Sequence, residues 1–201
     1  MGCSSVVHDK LVFERRVARL SALLAQALPP SQTLLDVGCG DGQISGRVGE
    51  LHPHLTITGI DVQVRTEAAI EVTAYDGSSI PFEAGSFDAV MMVDVLHHTT
   101  DPRGVLEEAR RVARRWIILK DHCLEGALAG PTLRLMDWFG NARHGVDLPY
   151  NYWTKPQWDA GLCELGLTVV TWDARLGLYP LPLRPFFERA LHFISVLRVP
   201  E

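Results

Sequence analysis

The sequence predicts an α/β fold in which a mainly parallel sheet carries helices on both faces. Short apolar runs, typical of buried parallel strands, alternate with helical patterns along the 201 residues. The run Leu34–Val37 leads directly into three glycines spaced two apart, and a second run, Thr58–Ile60, ends in Asp61. Glycine turns let the backbone approach a ligand closely, and open α/β sheets bind ligands at the carboxyl ends of their strands.

In the first half of the chain, helical periodicity rich in Ala, Leu and Arg continues until Pro29-Pro30 ends it. Between Asp61 and Asp76 the interval is only 15 residues. This leaves too little room for a full crossover helix and a strand, so we expect a short or irregular connection. The predicted elements are a helix over Leu11–Leu28, a strand over Thr33–Val37, a helix over Gly42–Leu51, a strand over Leu55–Ile60 and a strand around Ile70–Tyr75.

In the second half, helix starts are marked by Asp101 before Pro102 and by Thr154 shortly before Pro156, while Gly166 marks a helix end. The remaining apolar runs are rich in β-branched and aromatic residues, which favours strands. The predicted elements are a strand over Ala89–Val93, a helix over Pro102–Val112, a strand over Trp116–Lys120, a helix capped by Thr154 that runs to Leu165, and strands over Leu167–Trp172 and His192–Val199.

The glycine spacing separates two kinds of nucleoside site. The dinucleotide fingerprint G-x-G-x-x-G requires its third glycine at position 43, where this chain has Gln43. Here the glycines stand at every second position, in the segment Gly38–Gly42. An acid at the end of the next strand, such as Asp61, can accept hydrogen bonds from ribose hydroxyls. We therefore expect a nucleoside-containing cofactor other than a nicotinamide dinucleotide.

The segment Asp36–Gly42 resembles the first motif of the class I S-adenosylmethionine-dependent methyltransferases, specifically their small bacterial "type 11" branch. Asp76–Phe82, Gly85–Val90 and Val93–His98 continue the resemblance in the family's order, so that it extends over roughly residues 34–120. It implies a three-layer Rossmann-like sandwich with a seven-stranded, mostly parallel sheet and an antiparallel C-terminal strand. It further implies a single methyltransferase domain over residues 1–201, with residues 1–30 as an N-terminal helix and S-adenosylmethionine as cofactor.

The resemblance also assigns cofactor contacts. Asp36 would hold the loop or the cofactor's ammonium, Asp61 would accept from both ribose hydroxyls, and Asp76 would accept from the adenine amino group. The glycines would admit the methionine portion of the cofactor, and the backbone at Val93 would lie near its ammonium or sulfonium. The full predicted set is Asp36, Gly38, Cys39, Gly40, Asp61, Val62, Asp76, Gly77 and Val93.

Methyl transfer needs mainly the alignment of a nucleophile with the methyl group, in an in-line displacement, and sometimes removal of the nucleophile's proton. Polar residues at the ends of the fourth and fifth predicted strands are the candidates for that proton transfer. The candidate proton acceptors are Asp94, His97 and His98 after the fourth strand and Asp121 and His122 after the fifth; among them we predict catalytic roles for His122, Asp94 and His98. Histidine suits the task because its ordinary pKa lies near neutrality. For each of these residues a structural role at a polar strand end remains an alternative.

An insert over residues 124–153 separates the fifth strand from the next helix. It is long for a plain connection, and segments of that length are often functional or carry helices of their own. We predict that it closes the acceptor pocket as a lid; the alternative is an amphipathic helix with its polar side in water. The polar residues predicted to orient an acceptor are Arg134, Asp137, Asn141, His144, Tyr150 and Tyr152.

Charge and composition indicate which binding partners to expect. The formal net charge is −5 and no long basic run occurs, which makes nucleic acid the weaker expectation. The four cysteines are scattered without C-x-x-C pairs, and no apolar run reaches the length of a membrane span. We expect a cytoplasmic enzyme, a monomer or homodimer without a metal ion, that methylates a small molecule at oxygen. The alternatives are an RNA- or protein-directed methyltransferase and a non-catalytic cofactor-binding regulatory protein.

Overall fold

A seven-stranded sheet with strand order β3-β2-β1-β4-β5-β7-β6 forms the centre of the protein. The structure is a computed structural model and describes residues 3–141, 149–181 and 183–200. Strands β1 to β5 pair in parallel, whereas β7 runs antiparallel to both of its neighbours, which confirms the predicted fold class. The strands are β1 Thr33–Val37, β2 Thr56–Asp61, β3 Val72–Ala74, β4 Phe87–Val93, β5 Ala113–His122, β6 Thr168–Asp173 and β7 His192–Arg198.

Helices cover both faces of the sheet, because successive strand residues point to opposite sides. On one face Leu34 packs with Leu24 of the first helix, and on the other Leu35 packs with Leu106 of the third. The helices are α1 Cys3–Ala27, α2 Gln43–Leu51, α3 Pro102–Val112, α4 Ala129–Asn141, α5 Lys155–Glu164 and α6 Arg184–Phe187, and a 3₁₀ turn spans Leu96–His98. Within the described residues no helix is long and apolar enough to cross a membrane.

The element boundaries agree closely with the sequence in the first half of the sheet. Strand β1 and helix α3 have the predicted bounds, and the connection between β2 and β3 contains no helix, as its length predicted. Helix α1 begins at Cys3 rather than Leu11, because the preceding residues contain no glycine or proline after Gly2 that would stop the helix.

The difference that matters most for the polar residues concerns β5, which spans Ala113–His122, whereas the predicted strand runs from Trp116 to Lys120. The antiparallel partner β7 explains the extension, since Asp121 pairs with Phe193 and His122 with His192. Two polar residues predicted to follow the strand therefore lie inside it. Their side chains are held by the sheet, and both are buried.

Candidate functional site

The glycine loop after β1 has a conformation that side chains would obstruct. Gly38 and Gly40 have φ angles of 72° and 60°, in the left-handed region that favours glycine. A Cβ on Gly38 would lie 2.6 Å from a methyl group of Val95, whereas a Cβ on Gly40 would meet nothing nearer than the Arg65 guanidinium at 3.9 Å. Gly38 therefore permits close packing behind the loop, and the surface at Gly40 is open to a ligand.

Asp36 lies at the base of this loop with half of its carboxylate unsatisfied. Ser45 donates a hydrogen bond to Oδ2 over 2.5 Å, while Oδ1 is buried without a hydrogen-bond partner among the described residues. The pKa of Asp36 is raised to about 7: burial is the main cause, the Ser45 hydrogen bond opposes it, and the charge of Asp61 adds to the rise. A buried acceptor without a donor favours a cationic ligand, so the residue fits the ammonium of S-adenosylmethionine.

Asp61 ends β2 and is fixed by two backbone donors. The Gly40 amide donates to Oδ2 and the Gln63 amide donates to Oδ1, each over 2.8 Å. A carboxylate has about four lone-pair sites, so each oxygen can accept one more hydrogen bond. The two remaining positions suit the paired hydroxyls of a ribose.

The predicted adenine contacts lie at the ends of β2 and β3. Asp76 is exposed, and Ser79 and Ser78 donate to its Oδ1 over 2.7 and 2.8 Å, which lowers the pKa of the carboxyl. All the hydrogen bonds that Asp76 accepts from described residues go to Oδ1, which leaves Oδ2 available to a ligand. A Cβ on Gly77 would lie 3.0 Å from Val62, whose side chain is 65% exposed. Val62 and Gly77 are thus neighbours, and their apolar surface is available to cover a planar base.

A second polar cluster begins where β4 ends. Val93 is the last residue of β4, and Asp94 follows it with a φ angle of 57°. The Asp94 carboxylate accepts hydrogen bonds from Lys120 Nζ and, over 3.2 Å, from Arg16. Although burial opposes ionisation, Lys120, then His122 and Arg16, hold the pKa of Asp94 well below its usual value. Asp94 is therefore a paired carboxylate.

The 3₁₀ turn after Asp94 carries a clamped histidine. His97 Nδ1 lies 2.6 Å from Asp121 Oδ1, and the Leu96 amide donates to Asp121 Oδ2 over 3.0 Å. Burial lowers the pKa of His97, but the Asp121 carboxylate outweighs burial and the net shift is upward. Asp121, considered above as a proton acceptor, is occupied by these donors and by the His122 amide. It acts as a fixed anchor for the cluster.

His122 has the geometry of a neutral proton acceptor. Its Nδ1 lies 3.3 Å from the Leu191 carbonyl, and in the tautomer that carries the proton on Nδ1 the other nitrogen, Nε2, retains its lone pair. Nε2 lies 3.4 Å from Asp137 Oδ1 and 3.6 Å from Asp94 Oδ1. Burial and the nearby His97 lower the pKa of His122. A proton arriving at Nε2 would meet two carboxylates.

The insert contributes directly to this cluster through α4. Asp137 on α4 is buried, its Oδ2 lies 3.5 Å from His97 Nε2, and the Tyr152 hydroxyl donates to the same oxygen. Arg134, in contrast, is exposed and lies over the Tyr150 ring at 5.5 Å. Of the other polar insert residues, His144 and the side chain of Asn141 lie outside what the structure describes. Asp137 and Tyr152 are thus the insert residues that join the cluster.

His98 differs from its neighbour. Burial and the charge of His97 lower the pKa of His98 to about 4, and its Nδ1 is buried without a hydrogen-bond partner among the described residues. A histidine with so low a pKa is a weak proton acceptor near neutrality. His122 Nε2 lies within 3.6 Å of two carboxylates that can stabilise an imidazolium, and this contact favours His122 over His98 for proton transfer.

Several members of the cluster were not singled out from the sequence. Arg16 lies within a long helical pattern, and His192 opens a terminal strand, so neither position carries a recognisable signal. Burial and Lys120 hold the pKa of His192 well below its usual value, and its Nδ1 lies 3.4 Å from Lys120 Nζ. Only the pairing of β5 with β7 brings His192 to the site.

Three members offer ligand atoms that a divalent cation could share. Atoms of Asp94, His97 and His122 lie within 4.8 Å of one another. The sequence predicted no metal. Arg16 and Lys120 already pair with Asp94, so the cluster carries cations of its own beside these carboxylates.

Comparison with known proteins finds methyltransferases that are similar to this chain. Residues 35–116 match a family model described as a methyltransferase domain. The chain is 31% identical over 160 residues to 2-methyl-6-phytyl-1,4-hydroquinone methyltransferase of Synechocystis, covering 75% of this chain and 44% of that protein. It is 29% identical over 121 residues to 27-O-demethylrifamycin SV methyltransferase of Amycolatopsis mediterranei, covering 53% of this chain and 44% of that protein. The matched region thus spans under half the length of these curated relatives.

A solved structure supports the fold over almost the whole chain. The structure is a complex of the Haloferax volcanii Trm112 methyltransferase activator with a putative methyltransferase, matched with a TM-score of 0.72. The match covers 96% of this chain and 94% of that chain at 16% sequence identity. At this level of identity the likeness concerns the fold alone.

Proposed function

We propose that this chain, which belongs to the class I S-adenosylmethionine-dependent methyltransferases, transfers a methyl group from that cofactor to a small-molecule acceptor, at oxygen. One observation carries the proposal: two polar sites lie at the ends of adjacent parallel strands, an open glycine loop after β1 and a buried histidine–carboxylate cluster after β4. S-adenosylmethionine, when bound, supplies a sulfonium methyl group that reacts with a correctly aligned nucleophile.

In this proposal the β1 and β2 ends hold the cofactor. Asp36 Oδ1 binds its ammonium, Asp61 accepts from the ribose hydroxyls and Asp76 Oδ2 accepts from the adenine amino group. The open surface at Gly40 admits the methionine portion. The unsatisfied Oδ1 of Asp36 is the strongest support, because a buried acceptor is otherwise costly to leave without a donor.

The β4 and β5 ends bind the acceptor and remove its proton. His122 Nε2 takes the proton of the acceptor hydroxyl, and Asp137 and Asp94 stabilise the imidazolium that forms. Tyr152 positions Asp137 through its hydroxyl, and Asp121 positions His97. The insert, of which the structure describes residues 124–141 and 149–153, serves as a lid in this proposal, and the contacts of Asp137 with His97, His122 and Tyr152 support that role.

The burial of the histidine cluster favours a small acceptor over a macromolecule. His97 is 2% and His122 is 3% exposed, and Tyr152 stacks against the His97 ring at 5.7 Å. Aromatic and polar groups of this kind suit a ring that bears a hydroxyl. The names of the two relatives, a phytyl hydroquinone enzyme and a rifamycin O-methyltransferase, agree with this class of acceptor.

A cytoplasmic location remains part of the proposal. Cys39, Cys123 and Cys163 are unpaired, as expected of thiols in a reducing compartment. Whether the enzyme works as a monomer or a homodimer is open to direct measurement by sedimentation.

Calorimetry tests the cofactor assignment. We expect S-adenosylmethionine and its demethylated product to bind at one site per chain, and NAD to bind far more weakly. Screening a metabolite extract with methyl-labelled cofactor, followed by mass spectrometry, then identifies the acceptor. Equal binding of NAD would refute the cofactor assignment, and label found only in RNA or protein would refute the small-molecule acceptor.

A further inference from the structure

An exposed apolar surface lies on the outer side of the insert. Eleven large hydrophobic residues are exposed among the described residues, and six of them fall within residues 128–138 and 181–186. We call these six the α4–α6 face. Its members are Leu128, Leu135, Trp138, Leu181, Leu183 and Phe186. Leu181 is 77% exposed and Leu128 is 70% exposed, so the residues project well beyond the surrounding surface.

One arginine joins the two segments of this face. Arg189 donates from Nε to the Phe186 carbonyl over 3.2 Å and from its other nitrogens to the Ala127 carbonyl over 3.2 Å and Thr132 Oγ1 over 3.1 Å. The start of α4 and the end of α6 are therefore bridged by one guanidinium group. This linkage makes the exposed side chains on either side of it parts of one surface.

The charge of this surface is opposite to that of the whole chain. Its arginines, Arg134, Arg175, Arg184 and Arg189, are exposed, although the formal net charge is −5. The only acidic residues of segments 126–141 and 174–191 are Asp137, which is buried in the histidine cluster, and Glu188, whose side chain is 6% exposed and pairs with Arg184. Within these two segments positive charge thus accompanies the exposed apolar groups without an exposed carboxylate, and the exposed acids Glu125 and Asp173 lie at their edges.

Three of these arginines also share a cleft. Arg175, Arg184 and Arg189 line a cleft together with Pro185 and Glu188, next to the exposed Phe186. Guanidinium groups bind phosphate strongly, so such a cleft suits an anionic headgroup. A phosphate in the cleft and acyl chains beside it would satisfy both chemical features of the surface.

We propose that the α4–α6 face binds the surface of an anionic phospholipid bilayer. Peripheral binding of this kind combines apolar side chains that enter the headgroup region with basic residues that attract anionic lipids. RNA would suit the arginines but would bury none of the exposed leucines. A second copy of this chain would place four arginines against the same four arginines if the contact were two-fold symmetric. Both are outcomes of the test below.

The position of the face relates it to the acceptor site. Asp137 on the inner side of α4 joins the histidine cluster, and Trp138, the next residue, belongs to the outer face. An acceptor dissolved in the bilayer would therefore approach the insert from the side that touches lipid. This last step rests on the proposed function, whereas bilayer binding itself does not.

Co-sedimentation with vesicles tests the proposal. The full chain is mixed with vesicles of phosphatidylcholine alone or of phosphatidylcholine with phosphatidylglycerol. We expect sedimentation with the anionic vesicles and little with the neutral ones. The double variant Leu181→Ser/Phe186→Ser should weaken partitioning at least about ten-fold. Each of Arg175→Gln and Arg184→Gln should weaken it about five-fold. Val169→Ser/Val170→Ser, on the exposed part of β6, is the matched control and should leave partitioning unchanged.

Cofactor calorimetry on the same variants separates this proposal from the proposed function. Normal cofactor binding shows that the variants fold. A loss of sedimentation with vesicles is then caused by the change in the α4–α6 face. Equal sedimentation of wild type and variants, or none with anionic vesicles, would overturn the proposal. Two further outcomes would overturn it. One is a dimer in the absence of vesicles that Leu181→Ser/Phe186→Ser dissociates. The other is binding to RNA, but not to vesicles, that depends on the same arginines.

Discussion

The proposed cofactor site, at the carboxyl ends of β1, β2 and β3, and the proposed acceptor site, at the ends of β4 and β5, are built in different ways. We call them the cofactor end and the acceptor end. The cofactor end uses backbone amides and glycines from one short loop, together with three acids at strand ends that are positioned by local hydrogen bonds. The acceptor end uses buried and half-buried side chains from α1, the turn after β4, β5, α4 and β7. The proposed binding site is thus built from local segments, whereas the proposed proton transfer depends on ionisable groups that tertiary packing brings together.

The two ends also differ in how far their charged groups are removed from water. The cofactor end leaves its carboxylates partly in water, apart from Asp36. The acceptor end buries Lys120 and Asp121 completely, and buried charges are tolerated only when they are paired. Loss of one partner should therefore damage the acceptor end in stability or turnover, and the cofactor end in affinity alone.

The largest expected effect is on turnover. Replacing His122 by alanine removes the proposed proton acceptor, so kcat should fall by roughly 10²–10⁴-fold while the cofactor's dissociation constant hardly changes. Steady-state kinetics with the identified acceptor and cofactor calorimetry measure the two quantities. His98→Ala is the comparison variant, with a much smaller expected loss. Equal kcat in wild type and His122→Ala would transfer the role to Asp94 or to solvent.

The next effect is on stability. Asp121→Ala leaves Nδ1 of His97 buried without its carboxylate partner, and breaking a buried pair in this way costs about 3–5 kcal/mol of unfolding free energy. Denaturant unfolding measures the loss. Asp159→Ala, at an exposed pair with Lys155, is the control and should change stability by about 1 kcal/mol or less. If Asp121→Ala lowers the unfolding free energy as little as Asp159→Ala does, the His97–Asp121 pair contributes little to stability.

At the cofactor end, Asp61→Ala should weaken cofactor binding by about 1.5–3 kcal/mol, because hydrogen bonds to a charged acceptor are lost. The fold should survive, since Asp61 lies at a strand end and its partners are backbone amides. Calorimetry on the folded variant provides the measurement. An unchanged dissociation constant would remove Asp61 from the ribose site.

The smallest effect concerns pH. The pKa of Asp36 is raised to about 7, so the carboxyl is protonated below that pH in the ligand-free protein. A cationic ammonium prefers the carboxylate, and cofactor affinity should therefore rise by up to about ten-fold between pH 6 and pH 7, then level off above pH 7. Because the folded-state pKa lies above the unfolded value, the same group lowers the stability of the ligand-free protein as pH rises from about 4 to 7. Asp36→Asn should abolish the pH dependence of affinity, and a persistent slope would assign it elsewhere.

The two ends also differ in how far the sequence predicted them. The glycine loop, Asp36 and Asp61 lie within contiguous motifs whose spacing determines their geometry, and β1 and α3 have the predicted bounds. Arg16 and His192 join the cluster through contacts between residues far apart in the chain, such as the pairing of His122 with His192. No local pattern encodes such a contact. His98 was predicted for catalysis because of its position after β4, but its burial beside His97 could not be read from that position.

The division of labour between the two ends is tested most directly by one experiment on three proteins. Wild type, His122→Ala and Asp61→Ala are incubated with methyl-labelled S-adenosylmethionine, at a saturating concentration, and a metabolite extract. We expect label in a small-molecule product with wild type, recovery of most of that label with Asp61→Ala because saturation offsets weaker binding, and near-complete loss with His122→Ala despite normal cofactor binding. Full labelling by His122→Ala, or loss of labelling by Asp61→Ala that saturation does not restore, would contradict the separation of binding from proton transfer.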